Sequence, residues 1–190
     1  MTGSTRKRWT AGASWTTRTA SASRLLSRHG VDHTKRFADV AAAVAKLSAS
    51  TLVLAGEVAM YDDQLRSRFD WLREPDPDAV ASLPLYMAFE LLYRDGRDLT
   101  ACPLADRRAR LEDVVAGSEL VFPVRRLAPD GLESWAQVVE RGFEGGVAKD
   151  EASVYDGGPT RRWLKVKVSG GTDAQDRWRR VRTAPSHGPV

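Results

Sequence analysis

The stretch GFEGGVAK, Gly142 to Lys149, and the stretch WLKVK, Trp163 to Lys167, are the most informative parts of this chain. Glu144 stands among glycines, which have no side chain and let the backbone approach a ligand closely. Lys165 and Lys167 are two residues apart on a predicted strand, so both amines point to one face. A carboxylate suits Mg²⁺ and paired ammonium groups suit a phosphate. The two stretches together predict a site for a phosphate beside a metal ion.

Two earlier segments fit the same chemistry. LVLAGEVAMYD, Leu52 to Asp62, is typical of an apolar strand, with Glu57 on it. YMAFELLYRDGRDL, Tyr86 to Leu99, is typical of a second apolar strand, with Phe89 near its centre and a turn after it. Taken alone, Glu57 would be a solvent-facing or salt-bridged carboxylate and Phe89 a core aromatic residue.

Read in order, these segments resemble those of the ATP-dependent DNA ligases, most closely the bacterial type associated with end joining. The resemblance covers residues 24–168 and is to the adenylating, or nucleotidyltransferase, domain. The family motifs fall as SRxG at Ser27 to Gly30, DGE at Glu57, FDLL at Phe89, EGxVxK at Glu144, and WLKxK at Lys165 and Lys167. The chain departs from two of them, because Ala55 stands for the aspartate of DGE and Glu90 for the aspartate of FDLL. The resemblance implies the ligase nucleotidyltransferase fold, which is similar to ATP-grasp, and the cofactors ATP and Mg²⁺ or Mn²⁺.

The resemblance also implies roles for single residues. Phe89 would stack on the adenine, the strand lysines would hold the α-phosphate, and Arg28 would contact the ribose or the DNA end. The implied nucleotide contacts are Arg28, Glu57, Phe89, Lys149, Lys165 and Lys167, and the implied metal ligands are Glu57 and Glu144. The implied partner is nicked or broken double-stranded DNA, and the implied process is DNA repair and recombination.

The sequence departs from the family at its nucleophile. The family uses the lysine of a KxDG motif, and no KxDG occurs anywhere in this sequence. Its expected place is near Lys7, and KRWTAGA, Lys7 to Ala13, can encode KVDGWR when its codons are read one nucleotide earlier. Only the aspartate of that motif is forced by the genetic code. We therefore expect residues 1–23 to be either disordered or translated out of frame.

The boundaries follow from these observations. Residues 24–168 are expected to form a partial adenylation domain, and residues 169–190 a disordered basic tail. In the family an OB-fold follows WLKxK, and the tail is too short for a five-stranded barrel. A chain without the nucleophile and the OB-fold is expected not to complete ligation, so whether it is an enzyme stays open.

The composition sets wider limits. At 190 residues and 42% hydrophobic content, the chain has the size and composition of one soluble domain. No apolar run approaches the roughly 20 residues that span a bilayer. A single cysteine, Cys102, allows no internal disulfide, so a cytoplasmic protein is the expectation. A monomer is expected as well. The net charge of +4 permits binding to nucleic acid.

Helices and strands are interspersed without regular βαβ repetition, which predicts an α+β fold with antiparallel sheets flanked by helices. The predicted helices are an amphipathic one through Phe37 to Leu47, one starting at Pro103, and Leu132 to Arg141. The predicted strands are Thr51 to Met60, Tyr86 to Tyr93, Glu119 to Arg126, Gly145 to Lys149, and Trp163 to Val168.

Two alternative functions stay open. The first is a non-catalytic DNA-end or partner-binding module, which is favoured by the basic ends of the chain and by Trp178. The second is an RNA ligase or capping-type nucleotidyltransferase, which shares the same chemistry. The SRHG and WLKVK segments favour the DNA ligases over the second alternative.

Overall fold

The structure of the protein is a computed structural model, which describes residues 14–19, 22–72, 78, 82–158 and 160–168. Within these residues the chain forms two sheets and three α-helices. The strands are β1 Ser14–Arg18, β2 Ser23–Leu26, β3 Leu52–Ala59, β4 Leu85–Arg94, β5 Arg97–Asp98, β6 Val121–Pro123, β7 Gly145–Lys149 and β8 Trp163–Lys167. The helices are α1 Ala38–Ala45, α2 Leu104–Val115 and α3 Gly131–Glu140, with a short 3-10 helix at Phe69–Leu72. This arrangement confirms the predicted α+β class.

The large sheet has the order β2-β1-β3-β4-β5, and β6 also pairs with β4. All of its pairs are antiparallel except β4 with β6. The chain runs from β4 to β6 through α2, and a helical crossover of this kind brings a strand back in the parallel direction. Among the described residues, the small sheet pairs β7 with β8 in the antiparallel direction.

One face of β3 and β4 forms the hydrophobic core together with α1 and α2. Successive strand residues point to opposite faces, so Leu52, Leu54 and Val58 of β3 are buried on the core face. The ring of Tyr86 lies over Gly56, where an added Cβ would stand only 2.7 Å from Tyr86 Cε1. The opposite face of β3 carries Glu57 and is the face on which the candidate site lies.

Strand β1 lies inside the segment for which the sequence predicts disorder or a shifted reading frame. The prediction of disorder is wrong for residues 14–18, because they pair with β2 on one side and with β3 on the other. Arg18 Nη1 also donates a hydrogen bond to the carbonyl of Leu47 at 2.6 Å. Backbone pairing with a strand on each side therefore orders β1. The sequence does not predict this strand, because it has no alternating apolar pattern.

The ends of the chain carry other predictions that the structure does not reach. Residues 1–13 and 169–190 lie outside the described residues, so the reading-frame hypothesis and the basic tail stay predictions. In the described ranges, no helix is both long enough and apolar enough to cross a membrane.

Candidate functional site

The site begins on one face of the small sheet. The register places Gly145 opposite Lys167 and Val147 opposite Lys165. Because side chains alternate along a strand, these four residues lie on the same face. Trp163 and Lys149 form the next pair on that face, toward the other end of the two strands.

Glu144 and Lys167 form an ion pair at the end of the small sheet. Lys167 Nζ lies 2.9 Å from Glu144 Oε1, and the backbone N–H of Val168 donates to the carbonyl of Glu144 at 2.9 Å. A shallow pocket lies beside this pair, and its lining residues are Glu144, Gly145, Gly146, Val147, Lys165 and Lys167. The carboxylate of Glu144 and the two amines therefore share one small, open pocket.

Glu57 joins this group from the large sheet. Burial raises the pKa of the Glu57 carboxyl, the charge of Lys165 lowers it, and the charge of Glu144 raises it. Burial and the charge of Glu57 raise the pKa of the Tyr61 hydroxyl, so Tyr61 also lies near this group. The charges of Lys165 and Glu144 thus act on Glu57, which places this carboxylate near the end of the small sheet that carries the pocket.

Two carboxylates are thus available for a cation, Glu57 and Glu144. In the described part of the chain, no group of three His, Cys, Asp or Glu side chains could hold a metal ion. Mg²⁺ is usually bound through one or two carboxylates, with phosphate oxygens and water completing its coordination. The donor set fits a Mg²⁺ ion shared with a phosphate and does not fit a cage made only of protein ligands.

Lys149 lies on the same face as Lys165 and Lys167, but its amine is engaged elsewhere. Lys149 Nζ donates to Glu90 Oε1 at 2.8 Å and lies 4.0 Å from the centre of the Trp163 ring. Burial lowers the pKa of Lys149, and the charge of Glu90 opposes that change. The structure therefore places Lys149 in contact with Glu90, while its predicted contact with a nucleotide stays a prediction.

Phe89 and Arg28 lie in other elements. Phe89 is half-buried on β4 at a register shift, since Ala55 pairs with Glu90 and Gly56 pairs with Ala88. A β-bulge of this kind re-aims the side chain of the extra residue and is common beside active sites.

Arg28 is half-buried in the turn between β2 and α1, where its Nε donates to His29 Nε2 at 3.2 Å. The predicted roles of Arg28 and Phe89 in nucleotide binding both stay predictions.

Sequence reasoning missed Glu90, Arg107 and Tyr61 as members of this region. The signal for Glu90 was present, because a carboxylate in the apolar run Tyr86 to Tyr93 needs a charged partner if it is buried. Glu90 and Arg107 are both fully buried and form an ion pair at 2.8 Å. For Tyr61, nothing in the local sequence indicates its proximity to Glu57.

Comparison with known proteins identifies a family. The family model of the ATP dependent DNA ligase domain matches residues 15–167. Among the most similar relatives is the multifunctional non-homologous end joining protein LigD of Pseudomonas aeruginosa, which is 33% identical over 147 residues. That match covers 76% of this chain and 17% of the relative, so the chain spans less than a fifth of that protein.

Solved structures agree with this result. The crystal structure of the ligase domain from M. tuberculosis LigD has a TM-score of 0.69 and 29% identity, covering 84% of this chain and 51% of that chain. Mycobacterial DNA ligase D complexed with ATP and MES also has a TM-score of 0.69, with 28% identity, covering 85% of this chain and 53% of that chain. This chain thus spans about half of each solved domain.

Proposed function

This chain belongs to the ATP-dependent DNA ligase family, and we propose that it binds ATP between its two sheets in the service of DNA end joining and repair. One observation carries the proposal. The charges of Lys165, in the small sheet, and of Glu144, just before that sheet, act on the pKa of Glu57 in the large sheet, and both residues line an open pocket.

The proposed contacts follow the chemistry of each side chain. Lys165 and Lys167 hold the α-phosphate, because two amines on one face attract its negative charge. Phe89 stacks on the adenine, since the flat surface of an aromatic ring suits any base. Arg28 contacts the ribose or the DNA end.

Glu57 and Glu144 would hold Mg²⁺ or Mn²⁺, which supplies charge neutralisation at the phosphates when it is bound. Lys167 already stands 2.9 Å from Glu144, so a cation at this carboxylate and the amine of Lys167 compete for the same oxygen atoms. Nucleotide binding would resolve that competition, because a phosphate can accept both the metal ion and the lysine.

Titration of the chain with ATP and Mg²⁺, measured by isothermal titration calorimetry, tests the binding site. The wild-type chain is expected to saturate, and Lys165→Ala is expected to lose most of the affinity because it removes a phosphate contact. Lys46→Ala is the matched control, since Lys46 is an exposed lysine at the end of α1. Absence of saturation in the wild type, or full affinity in Lys165→Ala, contradicts the proposal.

We propose further that the chain as written binds ATP without forming the lysine adenylate of the family. No KxDG motif occurs in the sequence, and no other side chain substitutes readily for an amine that forms a phosphoramidate. In the family the lysine amine bonds to the α-phosphate and pyrophosphate leaves. The chain therefore lacks the nucleophile on which ligation depends.

Rewriting one segment tests this second proposal. Replacing Lys7 to Gly12, KRWTAG, by KVDGWR restores the motif in the place that the shifted reading frame indicates. Covalent AMP, detected by intact-mass spectrometry after incubation with ATP and Mg²⁺, is expected only in the rewritten chain. The same rewritten segment with alanine in place of its lysine is the control. Adenylation of the wild-type chain would overturn the proposal.

The alternative of a non-catalytic DNA-end or partner-binding module remains distinguishable. Of the basic residues that favour it, Arg18, Arg24 and Arg28 are described, and the others lie before residue 14 or after residue 168, outside the described residues. Salt-sensitive binding to broken double-stranded DNA without ATP binding would select this alternative. The cytoplasmic location and the monomeric state stay predictions, and gel filtration tests the second of them.

A further inference from the structure

Glu90 is a buried carboxylate with two cationic partners from different parts of the chain. Its Oε2 accepts from Arg107 Nε at 2.8 Å, and its Oε1 accepts from Lys149 Nζ at 2.8 Å. The side chains of Glu90 and Arg107 are 2% and 0% exposed, and that of Lys149 is 15% exposed. Both oxygens of the carboxylate are therefore committed to ion pairs inside the protein.

The two partners connect Glu90 to different elements. Arg107 belongs to α2 and also donates through Nη1 to the carbonyl oxygens of Cys102 and Ser153. Lys149 is the last residue of β7 in the small sheet. Glu90 on β4 thus joins the large sheet, α2 and the small sheet at a single point.

The small sheet is fastened at the same point by neighbouring contacts. Trp163 Nε1 donates to Ser153 Oγ at 3.1 Å, and the ring of Trp163 meets that of Tyr155 edge to face at 5.8 Å. The amine of Lys149 lies over the Trp163 ring, 4.0 Å from its centre. Lys149 is therefore held between an ion pair and an aromatic ring.

The register transmits this anchorage to the proposed phosphate site. Lys149 pairs with Trp163, and the next pair on the same face is Val147 with Lys165. A strand that shifts at Lys149 must carry Lys165 with it, because paired strands move as a unit. The position of Lys165 relative to Glu57 of the large sheet consequently depends on the contact between Lys149 and Glu90.

We propose that Glu90 is a positioning residue that fixes Lys149 and Arg107 and thereby sets the small sheet against the large sheet. Its function is to hold Lys165 and Lys167 toward Glu57, and Lys149 acts through Glu90 rather than through a nucleotide. The proposal rests on the proposed function insofar as the positioned lysines bind the phosphate of ATP. The anchoring of the small sheet itself is independent of that function.

A double-mutant cycle tests the route through which Lys149 acts. The affinity for ATP with Mg²⁺ is measured for the wild type, Glu90→Gln, Lys149→Met and the double variant. Each single change is expected to weaken binding about tenfold, as is typical of residues that orient a ligand-binding group. The double variant is expected to bind no more weakly than the weaker single variant, because both changes break the same contact. Losses that multiply would overturn the proposal, since they would mean that Lys149 contacts the nucleotide independently.

Amide hydrogen exchange tests the anchoring without any nucleotide. Exchange in β7 and β8 is expected to accelerate in Lys149→Met, while exchange in β1 to β3 stays unchanged. Lys149→Met leaves the buried pair of Glu90 and Arg107 intact, so this test survives if Glu90→Gln fails to fold. Unchanged exchange in β7 and β8 would overturn the proposal.

Two further variants complete the design. Glu90→Asp keeps the charge and is expected to restore part of the ATP affinity that Glu90→Gln loses. Arg162→Met removes an exposed ion pair with Asp150 beside the same strands and is expected to change neither affinity nor exchange. If the wild-type chain fails to bind ATP while Lys149→Met still loosens the small sheet, the proposed function fails and the anchoring role stands.

Discussion

Gly145 is a position of the small sheet at which an added side chain would meet the backbone of the partner strand. A Cβ at this position would collide with the carbonyl oxygen of Val166 and lie 2.9 Å from Lys167 Cα. Both obstacles are backbone atoms, which cannot rotate away as the end of a side chain can. Gly145→Ala is therefore expected to lower the free energy of unfolding by about 1–3 kcal/mol, measured by urea denaturation.

Gly146 provides the matched control for that substitution. Its nearest neighbour for an added Cβ is Val138 Cγ2 at 3.8 Å, which is an ordinary van der Waals contact. Gly146→Ala is expected to change the free energy of unfolding much less than Gly145→Ala does. Equal losses in the two variants would show that backbone flexibility, and not the close approach of the strands, explains the glycines here.

The carboxyl group of Glu57 is expected to reduce stability in a pH-dependent way. Burial raises its pKa in the folded protein, so the folded state binds the proton more tightly than the unfolded state does. Ionisation of such a group lowers the free energy of unfolding once the pH exceeds its pKa values in both the folded and the unfolded state. In metal-free buffer, Glu57→Gln should thus melt at a higher temperature than the wild type near neutral pH, and the difference should vanish below the ordinary glutamate pKa of 4.5.

Thermal melts at the two pH values measure this effect, with Glu119→Gln as an exposed control. The same Glu57→Gln variant is expected to bind ATP with Mg²⁺ more weakly, because it removes a proposed metal ligand. A Glu57→Gln variant that is less stable than the wild type near neutral pH would contradict the assignment of a desolvated carboxylate.

Single residues of the site differ in how well the sequence predicts them. The common face of Lys165 and Lys167 follows from the alternation of side chains, which is a local property of a strand. The partners of Glu90 are 17 and 59 residues away in the sequence. No local pattern identifies a pair at such separations, and the sequence therefore indicates a charged residue in an apolar strand but not its partners.

Helix α3 depends on a single capping residue. Asp130 Oδ1 accepts from the backbone N–H groups of Leu132 and Glu133, each at 2.9 Å. These amides would otherwise lack a partner within the helix. Asp130→Ala is expected to lower the free energy of unfolding by about 1 kcal/mol, measured by urea denaturation.

Asp130→Asn serves as the control, since asparagine caps a helix about as well as aspartate does. Its free energy of unfolding is expected to stay near that of the wild type. A loss in Asp130→Asn as large as in Asp130→Ala would assign the effect to the negative charge at the helix end and not to the two hydrogen bonds.

At the level of whole elements, the sequence predicts periodic segments best. The spacing of apolar residues predicts α1 and α3, with ends that lie within a few residues of the observed ones. Strand β6 is shorter than predicted, running only from Val121 to Pro123, because a proline cannot donate to a sheet and is suited to a strand end. Strand β1 has no apolar pattern and forms because it lies between two other strands, which only the tertiary structure supplies.

The position of the small sheet relative to the large sheet is a property of the whole molecule. The backbone N–H groups of Leu104 and Ala105, at the start of α2, donate to the carbonyls of Ser153 and Glu151 after β7. Helix α2 has no side-chain cap, so this loop satisfies its first amides. The position of the small sheet therefore depends on contacts between distant segments, which the motif spacing alone does not predict.

Binding of ATP with Mg²⁺ is expected to protect both sheets at once. Saturation at about 100 times the Kd stabilises a folded protein by about 2.7 kcal/mol. If the nucleotide lies between the sheets, hydrogen exchange should slow in β3 around Glu57 as well as in β7 and β8. Lys165→Ala is expected to show neither effect at the same ATP concentration. Protection confined to β7 and β8 would limit the site to the open pocket beside Glu144 and would remove Glu57 from it.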